Sequence, residues 1–159
     1  MKFAELISLL EKQVKLHASL YQLALKKTEA LKNHDINVLT ALMKDEQKHV
    51  LAIQQLEDKR LRITEHLLKD SEHERTITRC IELADEAERP KLEKLYEQLA
   101  ELIINLKQAN ELNQQLTEQS LQFVYVTLDM LAPQTTPINY SSTSTYEEHA
   151  DRSLFESKA

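Results

Sequence analysis

The residues best placed to do chemistry are Glu46-Gln-Lys-His49. Glu-x-x-His puts a carboxylate and an imidazole on one side of a helix, the ligand unit of di-iron four-helix bundles. Such a site also needs a second Glu-x-x-His pair and two inward glutamates. No second pair occurs in the chain. Glu46 and His49 therefore read as a polar interruption of an apolar seam, paired with Arg60 or with a residue of the first helix. His17 stands in a seam of its own and reads as a satisfied core histidine. The single cysteine, Cys80, falls on the apolar side of a short helix and reads as a buried, inert thiol. No nucleophile has both a base and an orienting group at a workable spacing. No metal, cofactor or catalytic residue is expected.

The chain of 159 residues contains no glycine, where average usage would supply about a dozen. Glycine allows positive φ and close backbone approach to phosphate. Its absence excludes a Walker loop, a dinucleotide fingerprint, a nucleophile elbow and an EF-hand. Leu, Glu, Gln, Lys and Ala dominate instead, a long-helix composition. A lone cysteine suits a reducing compartment. Glu5 and Glu11 interrupt the apolar start, which is unlike a signal peptide. No run approaches the ~18 apolar residues of a membrane span. Charge is uneven. Residues 1–70 hold 12 Lys+Arg against 10 Asp+Glu, residues 71–159 hold 8 against 16, and no Lys or Arg lies between Gln108 and Asp151. An acidic chain without a basic stripe is a poor nucleic-acid binder.

Long helices must position these residues. Phe3, Ile7, Leu10, Val14, His17, Tyr21, Ala24, Thr28 and Leu31 recur in steps of four and three, a heptad seam. Leu6, Leu9, Gln13, Leu16, Leu20 and Leu23 form a second row, so the first helix is expected to touch more than one neighbour. The corner at residues 32–35 places Asp35 as a cap and Asn33 as the left-handed residue. A second helix to about Lys69 carries Leu39, Leu42, Glu46, His49, Ile53, Leu56, Arg60, Ile63 and Leu67, forming an antiparallel hairpin with the first. Ser71 and Glu74 fit a capping box for a short third helix bearing Ile77, Cys80, Ile81 and Ala84. A fourth helix from about Pro90 to Leu131 has its seam at Leu92, Leu95, Leu99, Leu102, Leu106, Ala109, Asn113, Leu116, Ser120 and Phe123. The fold class is all-α, a long antiparallel hairpin or bundle with coiled-coil packing and one short helix. Residues 1–131 form the bundle domain. Residues 132–159, rich in polar residues after Pro133, form a disordered tail.

The later half of the fourth helix is the unusual surface. Gln108, Asn110, Asn113, Gln114, Gln115, Gln119 and Gln122 stand where charges would be usual. Leu121, Phe123, Val124, Tyr125, Val126, Leu128, Met130 and Leu131 then surround the helix. Either the first helix covers this surface, or part of it receives a partner helix.

The chain resembles the FlgN family of flagellar export chaperones, of the Gram-positive type. The resemblance rests on Leu39…Leu42…Glu46-Gln47 and Leu56-Glu57…Arg60 in the second helix, and on Leu106…Asn110-Glu-Leu-Asn113-Gln-Gln-Leu116 in the fourth. Pro137-Ile-Asn-Tyr140 and the ending Leu154-Phe155-Glu-Ser-Lys-Ala159 complete it. It implies a cytoplasmic, non-enzymatic protein that holds hook–filament junction (hook-associated) proteins, prevents early assembly and delivers them to the type III export gate. By position it implies cargo binding, through amphipathic terminal helices, around Leu112, Leu116, Phe123 and Leu128. It implies docking of Tyr140 on the gate's cytoplasmic domain, with homo-oligomerisation left open. A structural coiled-coil adaptor without a secretion role is the alternative.

Overall fold

The structure, a computed structural model, describes residues 2–69 and 75–132. Their elements are α1 (Ala4–Lys32), α2 (Ile36–Leu67), α3 (Ile77–Leu83) and α4 (Arg89–Leu131), with no strand among the described residues. The chain divides into two compact units, Met1–Gln119 and Ser120–Ala159.

Side chains end most of these helices. Asp35 accepts from Val38 N–H at 3.1 Å and caps α2 as expected. The left-handed residue of the corner, however, is His34 (φ 54°), not Asn33 (φ −89°). Asp35 N–H bonds to Ala30 O and His34 N–H to Leu31 O. This is the Schellman closure, which puts the left-handed residue one place beyond the cap. Histidine is among the side chains that tolerate that region best. Thr76 caps α3 by accepting from Arg79 N–H, while the expected Ser71/Glu74 box lies outside the described residues. The Arg89 guanidinium donates to Ile81, Glu82 and Ala84 carbonyls and satisfies the C-terminal end of α3. α1 has no cap of its own; Phe3 N–H donates to Glu88 Oε1, a carboxylate 2% exposed at the start of α4.

Cross-helix bonds set the directions. Gln13 meets Glu57, Ser19 meets His49 and Lys27 meets Glu46. Numbers rise on α1 as they fall on α2, so the pair is antiparallel. Phe3 meets Glu88 and Thr28 meets Asn113, both at a separation of 85 residues. α1 and α4 are therefore parallel and in one register. The three long helices run up, down, up; α2 returns the chain to the end where α1 begins, and α3 lies at that end and links α2 to α4.

The core follows from that order. Phe3, Leu6, Leu10, Leu68, Cys80, Ala84, Leu92, Leu95 and Leu99 bury one another at the end closed by α3. Fully burying each large side chain contributes about 1.5–3 kcal/mol before entropic cost. A smaller cluster, Ala24, Leu106 and Ala109 with Leu20 and Tyr21 against it, continues along α1 and α4. The buried α4 positions Leu92, Leu95, Leu99, Leu106, Ala109 and Asn113 keep heptad spacing. Both rows of α1 are used: Leu6, Leu9 and Gln13 are buried along with Phe3, Leu10, Ala24, Thr28 and Leu31. The expected α2 seam faces inward, but every member is only half-buried.

The expected α4 seam stops early. Its last buried member is Asn113, and Phe123 is 72% exposed. The register that joins Thr28 to Asn113 brings Lys32, the end of α1, level with Thr117. The heptad pattern outlasts the helix it packs against.

Candidate docking surface

The polar interruptions of the seams are used between helices. Lys27 Nζ lies 3.0 Å from Glu46 Oε2, so Glu46 pairs with α1. His49 Nδ1–H donates to Asp45 O at 2.8 Å, and Nε2 lies 2.8 Å from Ser19 Oγ. Both members of the Glu-x-x-His pair are thus committed to protein partners. His17 is half-buried and donates Nδ1–H to Gln13 O at 2.7 Å, the satisfied histidine expected. Cys80 is fully buried, and burial pushes its thiol pKa up, away from the thiolate.

Three arrangements were not read from the residues. Arg60 grips Glu57 through Nε and Nη2 at 2.8 and 2.7 Å, and Gln13 Nε2 donates to the same carboxylate at 3.1 Å. The hydrogen bond from Arg60 holds the Glu57 carboxyl below its ordinary range. Gln13, the polar member of an otherwise leucine row, was the signal. The second is a buried clamp between α1 and α4. Asn113 Nδ2 donates to Ala24 O at 3.0 Å, and Thr28 Oγ1 lies 2.5 Å from Asn113 Oδ1. Small Ala24 lets the asparagine reach the α1 backbone. The third is the buried Glu88 cap; its partner lies 85 residues away, beyond any local pattern.

Beyond the clamp α4 changes character. In the unit that begins at Ser120, every helical residue from Leu121 to Leu131 is exposed. Eight of them are large and apolar: Leu121, Phe123, Val124, Tyr125, Val126, Leu128, Met130 and Leu131. Contiguous apolar surface of this kind marks an interaction site. Asn113 is the last fully buried residue of α4, and Leu116 and Ser120 beyond it are half-buried.

Of the expected cargo residues, Leu112 is 43% exposed, Leu116 is half-buried, and Phe123 and Leu128 are 72% and 49% exposed. Leu112 and Leu116 belong to the unit Met1–Gln119, whereas Phe123 and Leu128, about 140° apart around the helix at ~100° per residue, belong to the unit that begins at Ser120. Tyr140 lies outside the described residues, as do Leu154, Phe155 and the expected tail.

The fold is a set of long packed helices with committed polar groups and an exposed apolar end on α4. The chain belongs to the FlgN family, whose model, described as FlgN protein, matches residues 1–148. Membership supports a flagellar export chaperone role in general terms. An uncharacterized protein of Bacillus subtilis (strain 168), YvyG, is 39% identical over 156 residues, covering 97% of each chain. No solved structure matches. No helix of the described residues is long and apolar enough to cross a membrane.

Proposed function

We propose that this protein is a cytoplasmic export chaperone for the hook–filament junction proteins. It holds their terminal amphipathic helices, prevents premature assembly and delivers them to the type III export gate. The observation that carries the reading is the run of exposed apolar residues on α4 in a chain of this family. Leu112, Leu116, Phe123 and Leu128 receive the apolar side of a cargo helix. Neutral amides beside them, such as Gln115 and Gln119, cost less to desolvate than charges would. Residues 132–159 serve as a tail, and Tyr140 on it docks on the gate's cytoplasmic domain. An aromatic ring buries a large area with few rotamers lost.

The test is co-elution of the purified chain with the terminal helices of a hook-associated protein. Phe123→Ala abolishes or weakens co-elution while helicity and melting stay unchanged. Leu116→Glu does the same, with stability monitored because Leu116 is half-buried. Co-elution by Phe123→Ala at the unmodified level refutes the site. A structural adaptor without a secretion role would bind neither these helices nor the gate domain.

A further inference from the structure

The cations of this chain are not all committed. Lys27 pairs with Glu46, Arg60 with Glu57, Arg75 with Glu65 and Arg79 with Glu82. Lys12, Lys59 and Arg62 have no such partner among the described residues, in a chain where acids outnumber bases 26 to 20. All three rim one groove of about 450 Å³ between α1 and α2, floored by Leu9, Leu56 and Ile63, with Glu5 the one acid among its lining residues. The Gln13–Glu57 bond sets Lys12 about level with Lys59 on the opposite wall. Lys59 and Arg62 share that wall at i and i+3, where like charges repel. In the groove between α2 and α4, by contrast, Lys107 is balanced by Glu111. Only the α1–α2 groove selects charge.

Shape narrows the occupant further. A groove between two packed helices receives a ridge of side chains at three- and four-residue spacing. Its lining runs from Glu5 to Lys12 on α1 and from Leu56 to Ile63 on α2, about 10 Å or two helical turns. Leu9 is 6% exposed, at the bottom of a recess that a flat lipid surface does not enter. Nucleic-acid phosphates would meet the cations but leave Leu9, Leu56 and Ile63 bare. We propose that this groove is a docking site for an acidic amphipathic helix of a partner protein. Apolar side chains of that helix at i, i+4 and i+7 cover Leu9, Leu56 and Ile63, and carboxylates beside the row meet Lys12, Lys59 and Arg62. Burial of the row holds the helix, and the charges select it against basic helices. None of these groove residues belongs to the α4 surface assigned to cargo, so the inference does not rest on that assignment.

Fluorescence anisotropy with the full chain reads binding of a labelled peptide of about fifteen residues, long enough to hold a helix. The peptide carries leucine at i, i+4 and i+7 with glutamates beside that row. Replacing its glutamates by lysine, or its leucines by serine, raises Kd at least about tenfold. Lys59→Glu with Arg62→Glu weakens the acidic peptide to the same extent and makes the lysine peptide the better ligand, because the reversed pairs attract. Both side chains are exposed, so circular dichroism stays unchanged, and unfolding cannot produce the gained affinity. In NMR spectra the methyl signals of Leu9, Leu56 and Ile63 shift on binding, while those of Ile103 and Leu106 in the α2–α4 groove do not. Phe123→Ala leaves peptide binding unchanged. Equal affinity for the acidic and lysine peptides, no binding of either, or shifts confined to the α2–α4 groove overturns the proposal. So does binding of phosphatidylglycerol vesicles that the same two substitutions weaken, which would assign the groove to a membrane.

Discussion

Leu106 and Phe123 are members of one heptad series, and the structure assigns them opposite fates. Leu106 is 7% exposed and packs with Ala24 and Ala109; Phe123 is 72% exposed. Leu106→Ala removes buried atoms and leaves a space that two alanine neighbours cannot refill. Leu→Ala costs 2–5 kcal/mol in packed cores, by about 24 cal/mol per Å³ of residual cavity. Leu106 also borders the open α2–α4 groove, so part of the vacated space is reached by water. Roughly 3 kcal/mol is the expected loss, which lowers melting by roughly 10 °C in a domain of this size. Phe123→Ala removes a side chain that is already 72% exposed, so the burial lost costs under about 1 kcal/mol. Alanine's better helix propensity offsets a few tenths of that. Thermal and urea melts followed at 222 nm read both. Equal losses from the two substitutions would refute the reasoning, because they would place Phe123 in the core.

Further expectations follow from buried polar groups. Glu88→Ala removes the acceptor of Phe3 N–H at the unassisted start of α1 and is expected to cost about 1–3 kcal/mol, read by urea titration. Asn113→Ala removes the α4 donor to Ala24 O and a partner of Thr28 Oγ1, groups that keep their own bond to each other; it is expected to cost about 1 kcal/mol, and a double-mutant cycle with Thr28→Val gives a coupling above zero. Glu57, held below its ordinary pKa by Arg60, contributes stability that is complete above about pH 4.5 and is lost as pH falls through the lowered value. Its side chain is 45% exposed, so the contribution stays below about 1 kcal/mol. Arg60→Ala flattens the acid limb of the stability curve below that pH. Cys80 in the folded protein reacts with a thiol reagent only as fast as the protein opens; immediate reaction of the native chain would contradict its burial.

Much of the helical architecture is legible in the residue order because it rests on short-range chemistry. Apolar positions at steps of three and four mark the faces of all the long helices, and Asp35 and Pro90 mark starts. The double row on α1 announces a helix with two neighbours, since one partner cannot cover so wide a face. Its polar member Gln13 announces a cross-helix bond but not its partner. Absence of glycine excludes most phosphate and nucleophile motifs outright. Local sequence was less informative at the corner, where the closing hydrogen bonds moved the left-handed residue from Asn33 to His34.

Tertiary structure decided whatever depends on residues distant in the chain. Periodicity cannot say where a seam loses its partner, so the heptads of α4 ran on to Phe123 while full burial ended at Asn113. The reason is geometric: α1 and α4 share one parallel register, and α1 ends level with Thr117. Glu88 capping α1 from 85 residues away, and Lys12 facing Lys59 and Arg62 across a groove, arise from the same docking of helices. Residue order states which side of a helix is apolar. Only the lengths and registers of the helices against it decide how much of that side water still reaches.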